Sequence, residues 1–388
     1  MHDYLDVDDL LSDEDRAIRD TVAEFAAKEL APHVAGWYEE GTLPDDLGPK
    51  LGALGLLGMH LEGYGCAGMS ATAYGVACRE LEAIDSGLRS FVSVQGSLAM
   101  FAIHRWGTSA HKETWLPSMA TGEKLGCFGL TEPDAGSDPG SMKTRAKRDG
   151  DDWVLNGSKM WITNGTLAAV AVVWAQTDSA DSGGGIRGFV VPTDTPGFSA
   201  HKIGRKLSLR ASVTAELTFD DVRLPADAVF PEVRGLKGPL SCLNEARYGI
   251  VWGAVGAARA CLEESLAYTL EREQFGEPIA ARQLTQRKLA LMTVAVNNAN
   301  LVAVRLGQLK DAGKLKPAQV SYGKYANVRA ALDVAREARA TLGGAGITLD
   351  HGVMRHMNNL ETVMTYEGTE EMHLLSIGAE LTGIRAFR

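Results

Sequence analysis

Val213-Thr214-Ala215-Glu216-Leu217-Thr218-Phe219 carries an apolar side chain at every second position. Successive side chains of an extended chain point to opposite faces, so this alternation predicts a half-buried strand. The same period governs its surroundings. Val170–Ala175 and Gly188–Val191 flank a glycine-rich turn at Gly183–Gly185, and Asn156-Gly157 separates Trp153-Val154-Leu155 from Lys159–Thr163. Each pattern predicts a hairpin.

Outside this segment the period becomes helical. Ser12 and Asp15 form a helix-start signal, after which Ile18, Val22 and Phe25 share a face until Pro32 ends or kinks the helix. Leu47, Leu51 and Leu54 repeat the pattern, with Gly58 expected to close it. Towards the C-terminus Leu289, Met292 and Val296 share one face. Val328, Leu332 and Ala335 share another, with a break at Gly313–Pro317. Helices, then strands, then helices predict an α+β protein with three parts: an N-terminal helical domain (1–125), a central β domain (126–235) and a C-terminal helical bundle (236–388). The strands do not alternate with helices, and no GxGxxG motif follows one, so a Rossmann nicotinamide site is not expected.

Composition narrows the function classes. With 45% apolar and 23% charged residues the chain reads as globular, and its net charge of −10 without basic clusters argues against nucleic-acid binding. The five cysteines are scattered without CxxC spacing, which speaks against a disulfide framework or a zinc site and for a reducing compartment. The acidic start lacks the features of a targeting peptide, and no apolar run approaches the ~18 residues of a membrane span. A cytoplasmic location, away from membranes, is the expectation.

Five strings carry a more specific signal. Phe128-Gly129-Leu130-Thr131-Glu132-Pro133 leads to Gly136-Ser137-Asp138, then Trp161-Ile162-Thr163-Asn164. Arg272-Glu273-Gln274-Phe275-Gly276, Leu342-Gly343-Gly344-Ala345-Gly346 and Tyr366-Glu367-Gly368-Thr369 follow in order. Together they resemble the acyl-CoA dehydrogenase family across most of the chain. The resemblance implies the family's fold, with a C-terminal four-helix bundle, and a homotetramer using FAD. Such chemistry needs a base for a weakly acidic α-C–H, polarisation of the thioester carbonyl and an acceptor for hydride, which no side chain provides. The resemblance makes Glu367 the base and gives Gly368 close approach to the substrate. It sets Phe128, Leu130, Thr131, Ser137, Trp161, Ile162 and Thr163 around the flavin, with Ser137 also near the substrate. Arg272, Phe275, Gln283, Leu342, Gly343 and Gly344 are assigned to a cofactor site shared between subunits, and Thr369 and Glu371 to the adenosine side.

Asp85-Ser86-Gly87-Leu88-Arg89-Ser90, Gly204–Ser212 and Leu243–Gly249 resemble the glutaryl-CoA branch of that family. There Arg89 and Ser90 would hold the far carboxylate of a dicarboxylic acyl-CoA, while Arg247, Tyr366 and Glu82 complete the substrate pocket. A planar arginine fork suits a carboxylate, whereas a fatty-acyl pocket gains nothing from a buried cation. Glu82 precedes Arg89 by seven residues and is expected on the same helix face. This branch implies dehydrogenation, loss of CO2 to give crotonyl-CoA, and electron transfer to an electron-transferring flavoprotein. Glu370-Glu371-Met372, Gly165, Leu88 and Gly96 depart from the branch pattern. Adipyl-CoA or a short or branched acyl-CoA without decarboxylation therefore stays open, as does a flavin monooxygenase or flavin-free binder on the same fold.

Overall fold

The computed structural model describes residues 3–178 and 185–386. Its first part is helical: α1 (Asp13–Phe25), α2 (Val34–Glu40), α3 (Leu47–Ala53), α4 (Ala71–Ile84), α5 (Ser86–Ser93), α6 (Phe101–Trp106) and α7 (Ser109–Ala120). Ser12 caps α1 as expected, accepting from the Asp15 backbone N–H at 3.1 Å while Asp15 returns a bond to the Ser12 N–H. The chain leaves α1 through a π-helical turn at Ala26–Leu30 before Pro32. Helix α3 stops earlier than expected. Gly55, with φ +68°, makes the reversal, and Gly58 belongs to the next turn.

The strands are β1 (Gly126–Gly129), β2 (Arg145–Asp149), β3 (Asp152–Thr163), β4 (Val170–Thr177), β5 (Gly185–Pro192), β6 (Phe198–Lys202) and β7 (Thr214–Leu224). They form one sheet in the order β1-β4-β2-β3-β7-β6, with β5 on β4. The β4–β5 antiparallel pair is present, although Gly183 and Gly184 of its expected turn lie outside the described residues. The hairpin expected at Asn156-Gly157 is not there. β3 runs straight through, because Asn156 exchanges two 2.9 Å bonds with Asp221 on β7 and Gly157 packs on Thr144. That pair is a bulge, and the actual reversal is at Gly150-Asp151. A second bulge between Lys159 and Ile162 puts Trp161 at φ +65° and turns its ring outward, 58% exposed.

The third part is helical again: α8 (Lys237–Glu271), α9 (Gln283–Asp311), α10 (Pro317–Thr341), α11 (Val353–Thr365) and α12 (Glu370–Thr382), with the small hairpin of β8 (Glu273–Gln274) and β9 (Glu277–Pro278) after α8. By length and composition α9 could cross a membrane, contrary to the expectation that no apolar stretch approaches such a span. It is a bundle helix packed on α8, α10 and α4. Its buried Asn300 accepts from Arg79 at 3.0 Å.

Small residues let α4 lie against α8. A Cβ at Gly75 would enter the Trp252 ring, and one at Gly256 would meet the Arg79 carbonyl at 1.9 Å. The loop before β7 wedges between helices from the first and third parts. Leu209 N–H donates to Asn359 at 2.7 Å, and Gly87 leaves room for the Ala211 carbonyl. The three parts therefore meet around α5, α8 and α11.

Candidate active site

Residue by residue, the site begins at a helix break. Asp85 leaves the helical conformation at φ −164°, and its carboxylate accepts from Gly87 N–H (2.7 Å), Arg355 (3.0 Å) and Asn359 (2.9 Å). Glu82 and Arg89 thus sit on two helices, α4 and α5, and not on one helix face as the spacing suggested. The kink brings them together: Arg89 Nε donates to Glu82 Oε2 at 2.6 Å, and both are fully buried.

Arg89 also donates to the Tyr366 hydroxyl, which lies 3.1 Å from Ser90 Oγ. Burial works against the charge of Arg89, but Glu82 and Tyr366 more than offset it and hold the guanidinium well above its ordinary pKa. Burial pushes the Tyr366 hydroxyl up to about 12, so it stays protonated. Arg89 Nη1 and Glu82 Oε1 are buried without a hydrogen-bond partner. A buried donor left unpaired is costly, and any oxygen acceptor reaching Nη1 would relieve that cost.

Glu367 follows Tyr366 in the left-handed region at φ +52°, and Gly368 continues the turn at φ +93°. Non-glycine residues rarely adopt such a conformation, and it persists only where the surroundings enforce it. Two cations do so here. Lys324 Nζ donates to the carbonyls of Tyr366 and Gly368, the latter at 2.6 Å, while Arg247 Nε donates to the Glu367 carbonyl at 2.7 Å. A Cβ at Gly368 would lie 3.0 Å from His373 Nε2 and 3.2 Å from Arg247.

The Glu367 residue is partly exposed, but its Oε2 is buried with no hydrogen-bond partner. Burial raises the carboxyl above its ordinary pKa, against the pull of Arg89, Lys324 and Arg247. Burial likewise pushes Lys324 down to about 7, opposed by Glu367 and assisted by Arg247 and Arg89. His373 is pushed down to about 3 by burial and by the same two neighbours, Lys324 and Arg247, which keeps it neutral. An unpartnered carboxylate with a raised pKa, on a rigid turn, is equipped to remove a proton.

Lys324 and His373 were not singled out in the sequence, and Asp85 entered only as the first residue of the Asp85–Ser90 string, with no role of its own. A lone lysine in a helix reads as a solvated charge, and no spacing rule marks it as buried. Arg247 was expected to touch substrate, but its resolved bond holds the backbone of Glu367.

The remaining candidates are more open, and the structure does not bring them all together. Met160 N–H donates to the Thr131 carbonyl at 2.8 Å, which sets Phe128, Leu130 and Thr131 beside Trp161, Ile162 and Thr163. Phe128, Leu130 and Ile162 are buried, Thr131 and Thr163 are half-buried, and Ser137 is exposed. Next to Thr163, both amide atoms of Asn164 are buried without a partner. Arg272 and Gln283 are exposed, and Phe275 is 96% exposed on the β8–β9 turn. Leu342 is buried, with Gly343 and Gly344 exposed after it. Thr369 caps α12, and Glu371 is exposed in its first turn.

A helical–β–helical chain with an unpartnered carboxylate oxygen held beside buried cations has the architecture of an acyl-CoA dehydrogenase. Family descriptions of the acyl-CoA dehydrogenase N-terminal, middle and C-terminal domains match residues 12–123, 127–222 and 233–382. The chain belongs to the acyl-CoA dehydrogenase family, a family of oxidoreductases.

Among solved structures it is similar to a glutaryl-CoA dehydrogenase from Mycobacterium smegmatis in complex with FADH2. Identity is 61%, coverage is 98% of this chain and 97% of the other, and the TM-score is 0.96. It is also similar to butyryl-CoA dehydrogenase from Megasphaera elsdenii, at 34% identity, 96% and 98% coverage and a TM-score of 0.90. The short-chain specific acyl-CoA dehydrogenase of Rattus norvegicus mitochondria is 37% identical over 96% of this chain and 90% of its own length.

Proposed function

We propose that this enzyme dehydrogenates a dicarboxylic acyl-CoA, with glutaryl-CoA as substrate and crotonyl-CoA and CO2 as products. The carrying observation is the fully buried Arg89, paired with Glu82 and Tyr366 and still offering an unpartnered Nη1. An unsubstituted acyl tail has nothing to give that nitrogen, whereas a terminal carboxylate does. The 61%-identical glutaryl-CoA dehydrogenase supports the same reading, and the short-chain and butyryl-CoA relatives define its rival.

FAD is the cofactor this reading requires, and the residues present fit it. Trp161 offers an exposed aromatic face beside the Leu130–Thr131 backbone, and Asn164 holds two unpartnered polar atoms nearby. When bound, FAD supplies the hydride acceptor. Within the chain, Arg89, Ser90 and the Tyr366 hydroxyl hold the distal carboxylate, and Glu367 removes the α-proton. The α,β-unsaturated product carries its carboxylate on the γ-carbon, so the C–C bond electrons can pass into the conjugated thioester as CO2 leaves. Glu367, now protonated, returns its proton to the γ-carbon.

Ser137, Gly368 and Arg247 complete the acyl-CoA side. Arg272, Phe275, Gln283, Leu342, Gly343, Gly344, Thr369 and Glu371 serve the outer end of FAD, with a second subunit contributing. A groove of about 600 Å³ lined by Leu266, Leu270, Leu289 and Ala290, together with exposed Leu284, Leu291 and Val294, supports assembly, for which we propose a tetramer. The electron acceptor is an electron-transferring flavoprotein, and the five free cysteines suit a reducing cytoplasm.

The test is anaerobic bleaching of the purified flavoprotein by a panel of acyl-CoAs. Glutaryl-CoA is expected to bleach it fastest, with CO2 released. Butyryl-CoA outpacing every dicarboxylic substrate would overturn the reading, and adipyl-CoA outpacing glutaryl-CoA would shift it by one methylene.

A further inference from the structure

We propose that Gly253, midway along α8, is a specificity-determining position whose lack of a side chain makes the Glu82–Arg89 pair possible. The proposal rests on the dicarboxylate reading and names what that reading requires from α8. A Cβ at Gly253 would lie 1.9 Å from Glu82 Oε2, 2.8 Å from Glu82 Cδ and 3.1 Å from Arg89 Nε. The first of these atoms is the acceptor of the 2.6 Å bond from Arg89. Any L-residue other than glycine therefore displaces the oxygen that neutralises the buried guanidinium.

Glu82 has no alternative partner waiting, since it is fully buried and its Oε1 is already unpaired. The neighbouring glycines of α8 behave differently. Gly256 faces the carbonyl of Arg79, which is backbone, and Gly249 faces the Tyr74 ring and hydroxyl. Those positions let two helices approach, whereas Gly253 makes room for a charge. Helix geometry does not demand glycine there either. Its φ is not positive, and alanine is the better helix former. A loss on substitution must come from what the methyl group displaces.

The experiment uses the full-length, FAD-loaded protein and its Gly253→Ala variant, with kcat/KM measured for glutaryl-CoA and butyryl-CoA and a dye as acceptor. Breaking a buried charge pair from one side is worth roughly 30-fold or more. The glutaryl-to-butyryl ratio is expected to fall by at least that factor, with flavin content retained. A second variant adds Glu82→Asp, whose side chain is one methylene shorter, and is expected to regain part of the ratio.

An unchanged ratio in Gly253→Ala overturns the proposal, and so do equal losses on both substrates, which would make the position a packing one. If Gly253→Ala does not fold, the double variant decides. Folding with a recovered glutaryl preference supports the proposal, and failure to fold overturns it. A wild-type protein that does not prefer glutaryl-CoA would end the dicarboxylate reading first, and that result is separable from one in which only the variant misbehaves.

Discussion

The two ends of the site are built differently. At the proposed substrate end, Glu82, Arg89 and Ser90 are buried, and Tyr366, Lys324 and Arg247 tie the Glu367 turn to α5, α8 and α10. At the proposed outer cofactor end, Arg272, Phe275, Gln283 and Glu371 are exposed. The first set of groups is partnered within a single chain, and the second presents an aromatic side chain and a cation to solvent. Buried charges demand fixed partners, so the first end is rigid in one protomer. Phe275, 96% exposed on a two-residue turn, is accessible to the second subunit proposed above.

The largest expected effect lies at the inner end. Glu367→Gln should keep FAD and bind acyl-CoA but reduce the flavin slower by on the order of 10²–10⁴ or more, as expected for a lost general base. Single-turnover bleaching checks it, and a near-normal rate would remove Glu367 from the role. At the outer end, Arg272→Ala should weaken FAD roughly tenfold or more, as for a lost charge-assisted hydrogen bond, and loosen the oligomer with it. Flavin content and sedimentation after dilution measure both. Tightly bound FAD in a monomeric variant would show that this end, too, is completed within one chain.

The smallest effect returns inward. Lys324→Met removes a positive charge near Glu367, so the carboxylate becomes harder to form and its pKa moves further up. Flavin reduction needs that carboxylate, so the acidic limb of the rate profile should shift to higher pH. Methionine cannot donate to the Tyr366 and Gly368 carbonyls at any pH, so the variant should stay below wild type throughout. The gap should narrow in alkali, where Lys324, pushed down to about 7, is itself neutral. A uniform loss at every pH would make Lys324 a structural residue only.

Legibility in the sequence followed the same divide. The period switch around Val213–Phe219 gave the helical–β–helical order, and the motif strings pointed to Glu367, Arg89 and Ser90. Local rules failed where contacts are long-range. Asn156-Gly157 reads as a turn until Asp221, 65 residues away, satisfies the asparagine from β7. Glu82 and Arg89 read as one helix face because nothing local shows that Asp85, held by Arg355 and Asn359, breaks the helix. Gly253 and Lys324 carry no local signal, since a helix glycine or lysine acquires meaning only from what the tertiary fold places against it.

The central claim is that the buried end of the pocket is built for a carboxylate, and Arg89→Met tests it most directly. The measurement is kcat/KM for glutaryl-CoA and butyryl-CoA in wild type and variant, with a dye as electron acceptor. Removing one partner of a buried charge pair is worth ~2–5 kcal/mol, or roughly 30- to several-thousand-fold. The account predicts a loss in that range for glutaryl-CoA with butyryl-CoA turnover unchanged or improved, and equal losses on both substrates would contradict it.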